Sequence, residues 1–153
     1  MLDDVVAFMF SSFPLSRLPD NSYQINKAKF FEKYIQRVKE GSRVLYMFSN
    51  PYVAVCLAMI VGSKGIVVTE GDEYTVGQIS KNYSHLIQSE RLVIIDGKWS
   101  DFLAKGCKIR SPYDVIIVPK HYYSKYVESQ LDTNGTAYDP WDDSRLNEDK
   151  TAF

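Results

Sequence analysis

Two acidic side chains follow predicted β-strands and could hold a nucleotide-like ligand. Glu70 ends the apolar run 65–70, where a carboxylate can accept hydrogen bonds from both hydroxyl groups of a ribose. Asp96 follows the apolar run 92–95 and also suits the N-cap of a short helix after it. Glu70 could equally supply the negative charge that is favourable just before a helix N-terminus. The sequence favours this second interpretation of Glu70.

The loop between the first predicted strand and the following helix would form the floor of such a site. The strand is predicted over 44–48, and the helix begins at Pro51 after an Asn50 N-cap and ends at Gly62. The connecting loop is Phe48-Ser49-Asn50-Pro51. It has no glycine, although backbone that approaches a ligand closely needs residues without Cβ atoms. We therefore expect no bound cofactor.

The other residue types that support catalysis or metal binding are scattered. His85 lies on a predicted helix near 73–88 without a second ligand at suitable spacing. Cys56 and Cys107 lie in or beside apolar segments and are interpreted as structural thiols. The sequence thus predicts no metal site and no catalytic residue.

The composition is that of one globular domain. The chain has 153 residues, 45% of them hydrophobic and 24% charged, with a formal net charge of −1. This charge gives no overall attraction to nucleic acid or anionic membranes. The segment 27–43 is rich in lysine and arginine, but we interpret it as a solvated helix face, so nucleic acid is not expected as a partner. No apolar run is long enough to span a membrane, and the acidic start does not suit a targeting peptide. The protein is expected to be intracellular, cytoplasmic or mitochondrial.

Three blocks of sequence resemble successive parts of the class I S-adenosylmethionine (SAM) methyltransferases, most closely the protein-L-isoaspartate O-methyltransferases. They are Leu57-Ala-Met-Ile-Val-Gly-Ser-Lys-Gly-Ile-Val-Val68, Arg91-Leu-Val-Ile-Ile-Asp-Gly97 and Ser111-Pro-Tyr-Asp-Val-Ile-Ile-Val118. The resemblance covers residues 22–118, and more weakly the chain to 135. It implies that Asp96 stands where an aspartate contacts adenine, and Asn26 where the family has an active-site serine. The family's glycine-rich loop is replaced by residues 46–51.

The resemblance implies an α/β fold with a truncated Rossmann-like methyltransferase sheet. We expect four or five mostly parallel strands in the order 3-2-1-4, flanked by helices. A further helix is predicted over 121–131 and a turn at 132–135. The domain is expected to span 21–135, preceded by an N-terminal arm, 1–20, and followed by an acidic, aromatic tail, 136–153.

These features predict a catalytically inactive methyltransferase-like domain that acts as an accessory or structural subunit of a larger assembly. Protein partners would bind at the termini and the open sheet edge, with Tyr138, Trp141 and Phe153 as contact residues. Glu70 and Asp96 would then be vestiges of a site. The alternative is an active SAM-dependent carboxyl methyltransferase acting on isoaspartyl residues of proteins, with Glu70 and Asp96 holding SAM.

Overall fold

A single mixed sheet organises the part of the chain that the structure describes. The structure is a computed structural model and describes residues 37–48, 51–95, 111–140 and 144–147. Within these ranges the elements are β1 (Arg43–Tyr46), α1 (Pro51–Val61), a 3₁₀ turn (Gly62–Lys64), β2 (Ile66–Glu70), α2 (Glu73–Gln88), β3 (Leu92–Ile95), β4 (Tyr113–Ile117), a second 3₁₀ turn (Lys120–Tyr122), α3 (Lys125–Glu128), β5 (Leu131–Asp139) and β6 (Ser144–Arg145).

The strand order confirms the predicted Rossmann-like sheet. Six strands within the described ranges lie in the order β3-β2-β1-β4-β5-β6. The strands β1 to β5 pair in parallel, and β6 is antiparallel to β5. The predicted order 3-2-1-4 is therefore present, and β5 extends it beside β4.

The central strand β1 is buried on both faces. Val44 and Tyr46 belong to a core cluster with residues of α1 and α2. Leu45 faces the other way, into a second cluster that contains Val127 of α3. Val44, Leu45 and Tyr46 are all 0% exposed. A parallel strand covered on both faces is expected to be a continuous apolar run, as this one is.

Helix α1 is apolar almost all round and is correspondingly buried. Residues 53–58 are at most 1% exposed, as expected for a helix without a polar face. The helix begins at Pro51 and ends before Gly62, whose φ of 67° is the left-handed conformation that glycine adopts without strain. Both ends agree with the sequence-based prediction. In the described ranges we find no helix with the length and apolar character needed to cross a membrane.

Gly65 allows β2 to start close to the segment before β1. A Cβ atom at Gly65 would lie 2.4 Å from Val61 Cβ and 2.7 Å from the Ser42 carbonyl oxygen. The same Ser42 oxygen accepts a hydrogen bond from the Ile66 N–H at 3.0 Å. The start of β2 therefore requires a residue without a side chain at position 65.

Strand β5 corrects the predicted helix over 121–131 and the predicted turn at 132–135. The helix is limited to α3, and the turn residues lie inside the strand. Tyr113 pairs with Leu131, whereas Val115 pairs with Thr136, so residues 132–135 bulge from the ladder. These turn-forming residues distort the strand without ending it. The boundary predicted after residue 135 falls inside β5, and residues 136–139 belong to the sheet.

Asn147 closes part of the outer edge of β5 with its side chain. Strand β6 pairs with Tyr138 and Asp139. Beyond it, the Ala137 N–H donates to Asn147 Oδ1 at 2.8 Å, and Asn147 Nδ2 donates to the Gly135 carbonyl at 3.2 Å. The carboxamide thus takes the hydrogen bonds that another strand residue would make.

Exchanging glycine for alanine at two positions tests this packing. Gly65→Ala should lower the free energy of unfolding by about 1–3 kcal/mol, because the new methyl group overlaps Val61 and Ser42. Gly77→Ala is the matched control, since a Cβ at this exposed position in α2 meets nothing within 4 Å. It should raise stability by about 0.5–1 kcal/mol. Urea unfolding measures both, and a Gly65→Ala protein as stable as the wild type would contradict the packing described.

Candidate functional site

The carboxyl ends of the parallel strands form the candidate site. The chain leaves β1 through α1, which packs on the face that holds Tyr46. It leaves β4 through α3, whose Val127 packs on the opposite face. The adjacent strands β1 and β4 thus send their connections to opposite sides of the sheet. Ligands of open α/β sheets bind in the crevice at such a reversal, outside the carboxyl ends of the strands.

Backbone hydrogen bonds continue the ladder beyond these strands and hold their ends together. The Met47 N–H donates to the Ile117 carbonyl at 2.8 Å, and the Gly71 N–H donates to the Ile95 carbonyl at 3.1 Å. The Val118 N–H donates to the Tyr138 carbonyl at 3.1 Å. The loops that line the edge therefore start from fixed positions.

Glu70 lies at this edge, as the sequence predicts. It is the last residue of β2 and is half-buried. Its register partner is Ile95, the last residue of β3. Asp96 is the next residue in the chain and lies outside the described residues, as does Asn26. Of Glu70, Asp96 and Asn26, the structure therefore describes only Glu70, which lies at the edge.

The two aromatic side chains near the end of β1 have different environments. Tyr46 is 0% exposed and is enclosed by the cluster beneath α1, so its ring is not accessible to a ligand. Phe48 is half-buried and packs against the same cluster, with its ring centroid 5.9 Å from that of Tyr46. Phe48 is therefore the aromatic side chain of this loop that a ligand at the edge could contact.

The exit from β4 contributes residues that the sequence interpretation missed. The Lys120 N–H donates to Asp139 Oδ2 at 2.9 Å, which fixes the turn Lys120–Tyr122 to the end of β5. His121 and Tyr122 are exposed, and their ring centroids lie 4.3 Å apart. The mixture of aromatic and basic residues over 120–126 could have indicated this surface. Predicting one further helix over 121–131 concealed it.

Of the three predicted partner-contact residues, the structure describes Tyr138. Tyr138 is 6% exposed and packs in the core cluster beneath α1. Its burial raises the pKa of the Tyr138 hydroxyl, and the nearby Arg37 opposes this shift. Tyr138 therefore contributes to the core. Trp141 and Phe153 lie outside the described residues.

The isolated histidine and the described cysteine have distinct environments. His85 is exposed on α2. Cys56 is 0% exposed within α1, and burial raises the pKa of its thiol to about 12. Among the residues that the structure describes, no group of three or more His, Cys, Asp or Glu residues could hold a metal ion. Cys56 is therefore not an activated nucleophile.

A polar cleft of about 470 Å³ lies away from the crevice. Its lining includes Ser42, just before β1, and Asp114, near the start of β4. It is therefore at the amino-terminal side of these strands. Its charged residues have both signs, namely Arg37, Lys39, Glu40 and Asp114. This mixture does not define a ligand, and the strand ends converge at the other edge.

Comparison with solved structures shows a class I methyltransferase-like fold. A protein-L-isoaspartate O-methyltransferase matches with a TM-score of 0.58 and 19% identity, over 90% of this chain and 54% of that chain. The O-methyltransferase TomG from Streptomyces achromogenes, in complex with SAM, matches with a TM-score of 0.60 and 14% identity, over 88% and 64%. The O-methyltransferase from Bacillus cereus, in complex with SAH, matches with a TM-score of 0.57 and 17% identity, over 89% and 63%.

The chain spans between 54% and 64% of the length of these three structures. At these identities the similarity defines the fold. No family profile matches the sequence, and no curated protein matches it.

The comparisons correct two predictions. The expectation that the chain is not an enzyme is contradicted, because the solved structures that share its fold include several O-methyltransferases. The expectation of no cofactor is also contradicted, because two of these structures contain SAM or SAH. Both expectations gave too much weight to the missing glycines after β1.

The buried thiol predicts a specific pattern of chemical labelling. In a Cys107→Ser protein, Cys56 should not react with iodoacetamide at pH 8, because with a pKa of about 12 only about one thiol in ten thousand is ionised. In urea the same thiol should react at the rate of a free cysteine. Mass spectrometry of the alkylated protein measures both rates. Rapid labelling of the folded chain would show that Cys56 is accessible.

Proposed function

We propose that this chain is a SAM-binding unit of an O-methyltransferase and that it binds the cofactor at the carboxyl ends of β1, β2 and β3. The observation that carries the proposal is the position of Glu70. Its carboxylate stands at the end of β2, next to β1, on the edge where the β1–β4 crevice opens. The fold of the SAM- and SAH-bound O-methyltransferases supports the same class of ligand.

Two of the described residues, Glu70 and Phe48, would contact such a cofactor. Glu70 would accept hydrogen bonds from the ribose hydroxyl groups, for which a half-buried carboxylate at a strand end is suited. Phe48 would pack against the ligand from the β1 side. Bound SAM supplies an electrophilic methyl group on a sulfonium. The chain's own contribution would be to hold the cofactor and an acceptor oxygen in line and to exclude water.

The loop without glycine is compatible with this ligand for a chemical reason. Glycine-rich loops are most needed where backbone N–H groups must surround a phosphate. SAM contains no phosphate, so it needs no cradle of N–H groups around one, although the family that the sequence resembles has a glycine-rich loop at this place. Gly71, which follows Glu70, is buried and fixed by its hydrogen bond to Ile95. Glu70 is therefore held at a rigid strand end beside the proposed position of the ribose.

We propose an oxygen nucleophile as the methyl acceptor. The O-methyltransferases among the solved structures support this choice. The carboxyl group of an isoaspartyl residue is one such acceptor, suggested by the resemblance of the three sequence blocks and by one of these structures. Isoaspartyl peptides are therefore the first acceptors to assay.

Replacing Glu70 by glutamine tests the cofactor site. SAH at 100 times its dissociation constant should stabilise the wild-type chain by about 2.7 kcal/mol. Glu70→Gln should weaken binding about tenfold or more, because hydrogen bonds to a charged acceptor are stronger than those to a neutral amide. Thermal unfolding with and without SAH, followed by calorimetric titration, measures both effects.

Glu73→Gln is the matched control, because Glu73 is exposed in the first turn of α2 and not at the strand end. It should bind SAH as the wild type does. Absence of any shift in the wild-type chain at millimolar SAH would contradict the cofactor proposal. Equal binding by Glu70→Gln and the wild type would contradict the role of Glu70 alone.

We further propose that the unit binds protein partners through the sheet edge and termini, and that it is intracellular, in the cytoplasm or mitochondria. Among the described residues, β6 pairs with two positions of β5, which supports a site for further strand pairing. Affinity capture should retain a specific protein that a Trp141→Ala/Phe153→Ala variant loses. Identical captured proteins would contradict this role for the two aromatic residues.

A further inference from the structure

The bulge of β5 contains the one Asn-Gly pair of the sequence, Asn134-Gly135. In such a pair the backbone nitrogen of the glycine can attack the side-chain carbonyl carbon of the asparagine. The attack is intramolecular and closes a five-membered ring, so the reacting groups are already held together. A glycine gives the least steric hindrance to this closure, because it has no Cβ atom. The pair is therefore a candidate for spontaneous chemical modification.

The local backbone favours ring closure more than a regular strand would. Asn134 and Gly135 lie between the register points Leu131 and Thr136, so the ladder with β4 does not fix their conformation as it does elsewhere. The Gly135 carbonyl faces the outer edge of β5, where it accepts from Asn147. The N–H and carbonyl of a strand residue point to the same side, so the attacking nitrogen faces away from β4.

The Asn134 side chain also has the access to water that the reaction needs. It is exposed and lines the polar cleft at the amino-terminal side of the strands. Asn147 differs, since its carboxamide is half-buried and hydrogen-bonded to both Ala137 and Gly135. It is also followed by Glu148 and not by a glycine. Asn147 is therefore an internal reference for an asparagine of low reactivity.

The packing of Gly135 prevents a simple loss of this reactivity. A Cβ atom at this position would lie 2.7 Å from Leu131 Cδ1 and 2.9 Å from the Tyr113 carbonyl oxygen. A larger residue would slow ring closure, but it would overlap Leu131 and β4. The fold thus requires the very residue that makes Asn134 reactive.

We propose that Asn134 is a site of spontaneous deamidation and conversion to isoaspartate. The Gly135 nitrogen forms a bond to Asn134 Cγ, the Cγ–Nδ2 bond breaks, and Nδ2 leaves as ammonia with the proton of the Gly135 N–H. Water then opens the resulting succinimide. Addition at Cγ gives aspartate, whereas addition at the main-chain carbonyl carbon gives isoaspartate. Water is the only co-reactant, and the reaction needs no bound cofactor.

The modification would change both the charge of the cleft and the path of β5. The described charged residues that line the cleft are Arg37, Lys39, Glu40 and Asp114. A new carboxylate at position 134 would therefore leave acids in excess. Isoaspartate also adds a methylene group to the main chain just before Gly135, where the packing leaves no space for a Cβ atom. We expect the isoaspartate form to be less stable than the unmodified protein.

The test follows the folded wild-type protein during storage at alkaline pH, where hydroxide removes the proton of the attacking nitrogen more often. Peptide mass spectrometry with electron-transfer fragmentation measures deamidation and isoaspartate at each asparagine. Conversion at Asn134 should exceed that at Asn147 and rise in proportion to the hydroxide concentration. Its rate should lie within about tenfold of the rate in urea, which allows a conformational cost of at most about 1.4 kcal/mol. A larger slowing by folding, or equal conversion at Asn147, would overturn the proposal.

Two variants at this position separate the chemical step from its consequence. Asn134→Gln is the matched control, because its longer side chain would have to close a less favourable six-membered ring, and conversion at this position should be lost. Asn134→Asp carries the charge of the product without the added main-chain methylene. Thermal unfolding should give a lower Tm for the isoaspartate fraction of stored wild type than for fresh Asn134→Asp or stored Asn134→Gln. Equal Tm values would overturn the proposed change in β5.

Discussion

The parallel pairing of β1 with β4 is the interaction on which the rest of the structure depends. Val44, Leu45 and Tyr46 pair with Val115, Ile116 and Ile117, and successive residues point into opposite core clusters. A slip of one residue would exchange the two faces along the whole strand, so the register is strongly fixed. The same pairing creates the crevice, because α1 and α3 leave these neighbouring strands toward opposite sides. The pairing of β1 with β4 therefore determines both the packing of the core and the position of the candidate binding site.

The sequence was most informative where an element is continuous and apolar. The ends of α1 followed from Pro51 and Gly62, and β1 and β4 from the short apolar runs 44–48 and 115–118. The path of β5 was less predictable, because Asp132, Asn134 and Gly135 are turn-forming residues. In the folded chain Gly135 fits against Tyr113, where a Cβ atom would lie 2.9 Å from the carbonyl oxygen. Local preference predicted a turn, and pairing with β4 imposed a bulged strand.

The candidate site was predictable in part. The position of Glu70 followed from the end of an apolar run, whereas the exposed aromatic residues after β4 depend on which of several neighbouring tyrosines turn outward. The sequence does not contain that information, since Tyr122, Tyr123 and Tyr126 differ in burial and not in type. The expectation of no cofactor failed for another reason. It treated the missing glycines of one loop as decisive, although SAM has no phosphate that a cradle of backbone N–H groups must surround. A fold keeps its packing under wide sequence change, so a loop alone is a weak guide to loss of a ligand.

The carboxamide of Asn147 has a consequence for the ageing of the protein. It accepts a hydrogen bond from Ala137 and donates one to Gly135, as a peptide group of a neighbouring strand would do. Deamidation to aspartate would keep the accepting oxygen and replace the donor with a second, negatively charged acceptor facing the Gly135 carbonyl. The hydrogen bond to Gly135 would be lost, which would weaken this end of the sheet and leave the Gly135 carbonyl able to pair with another molecule. A slow chemical change at one side chain would thus alter how this chain associates with others.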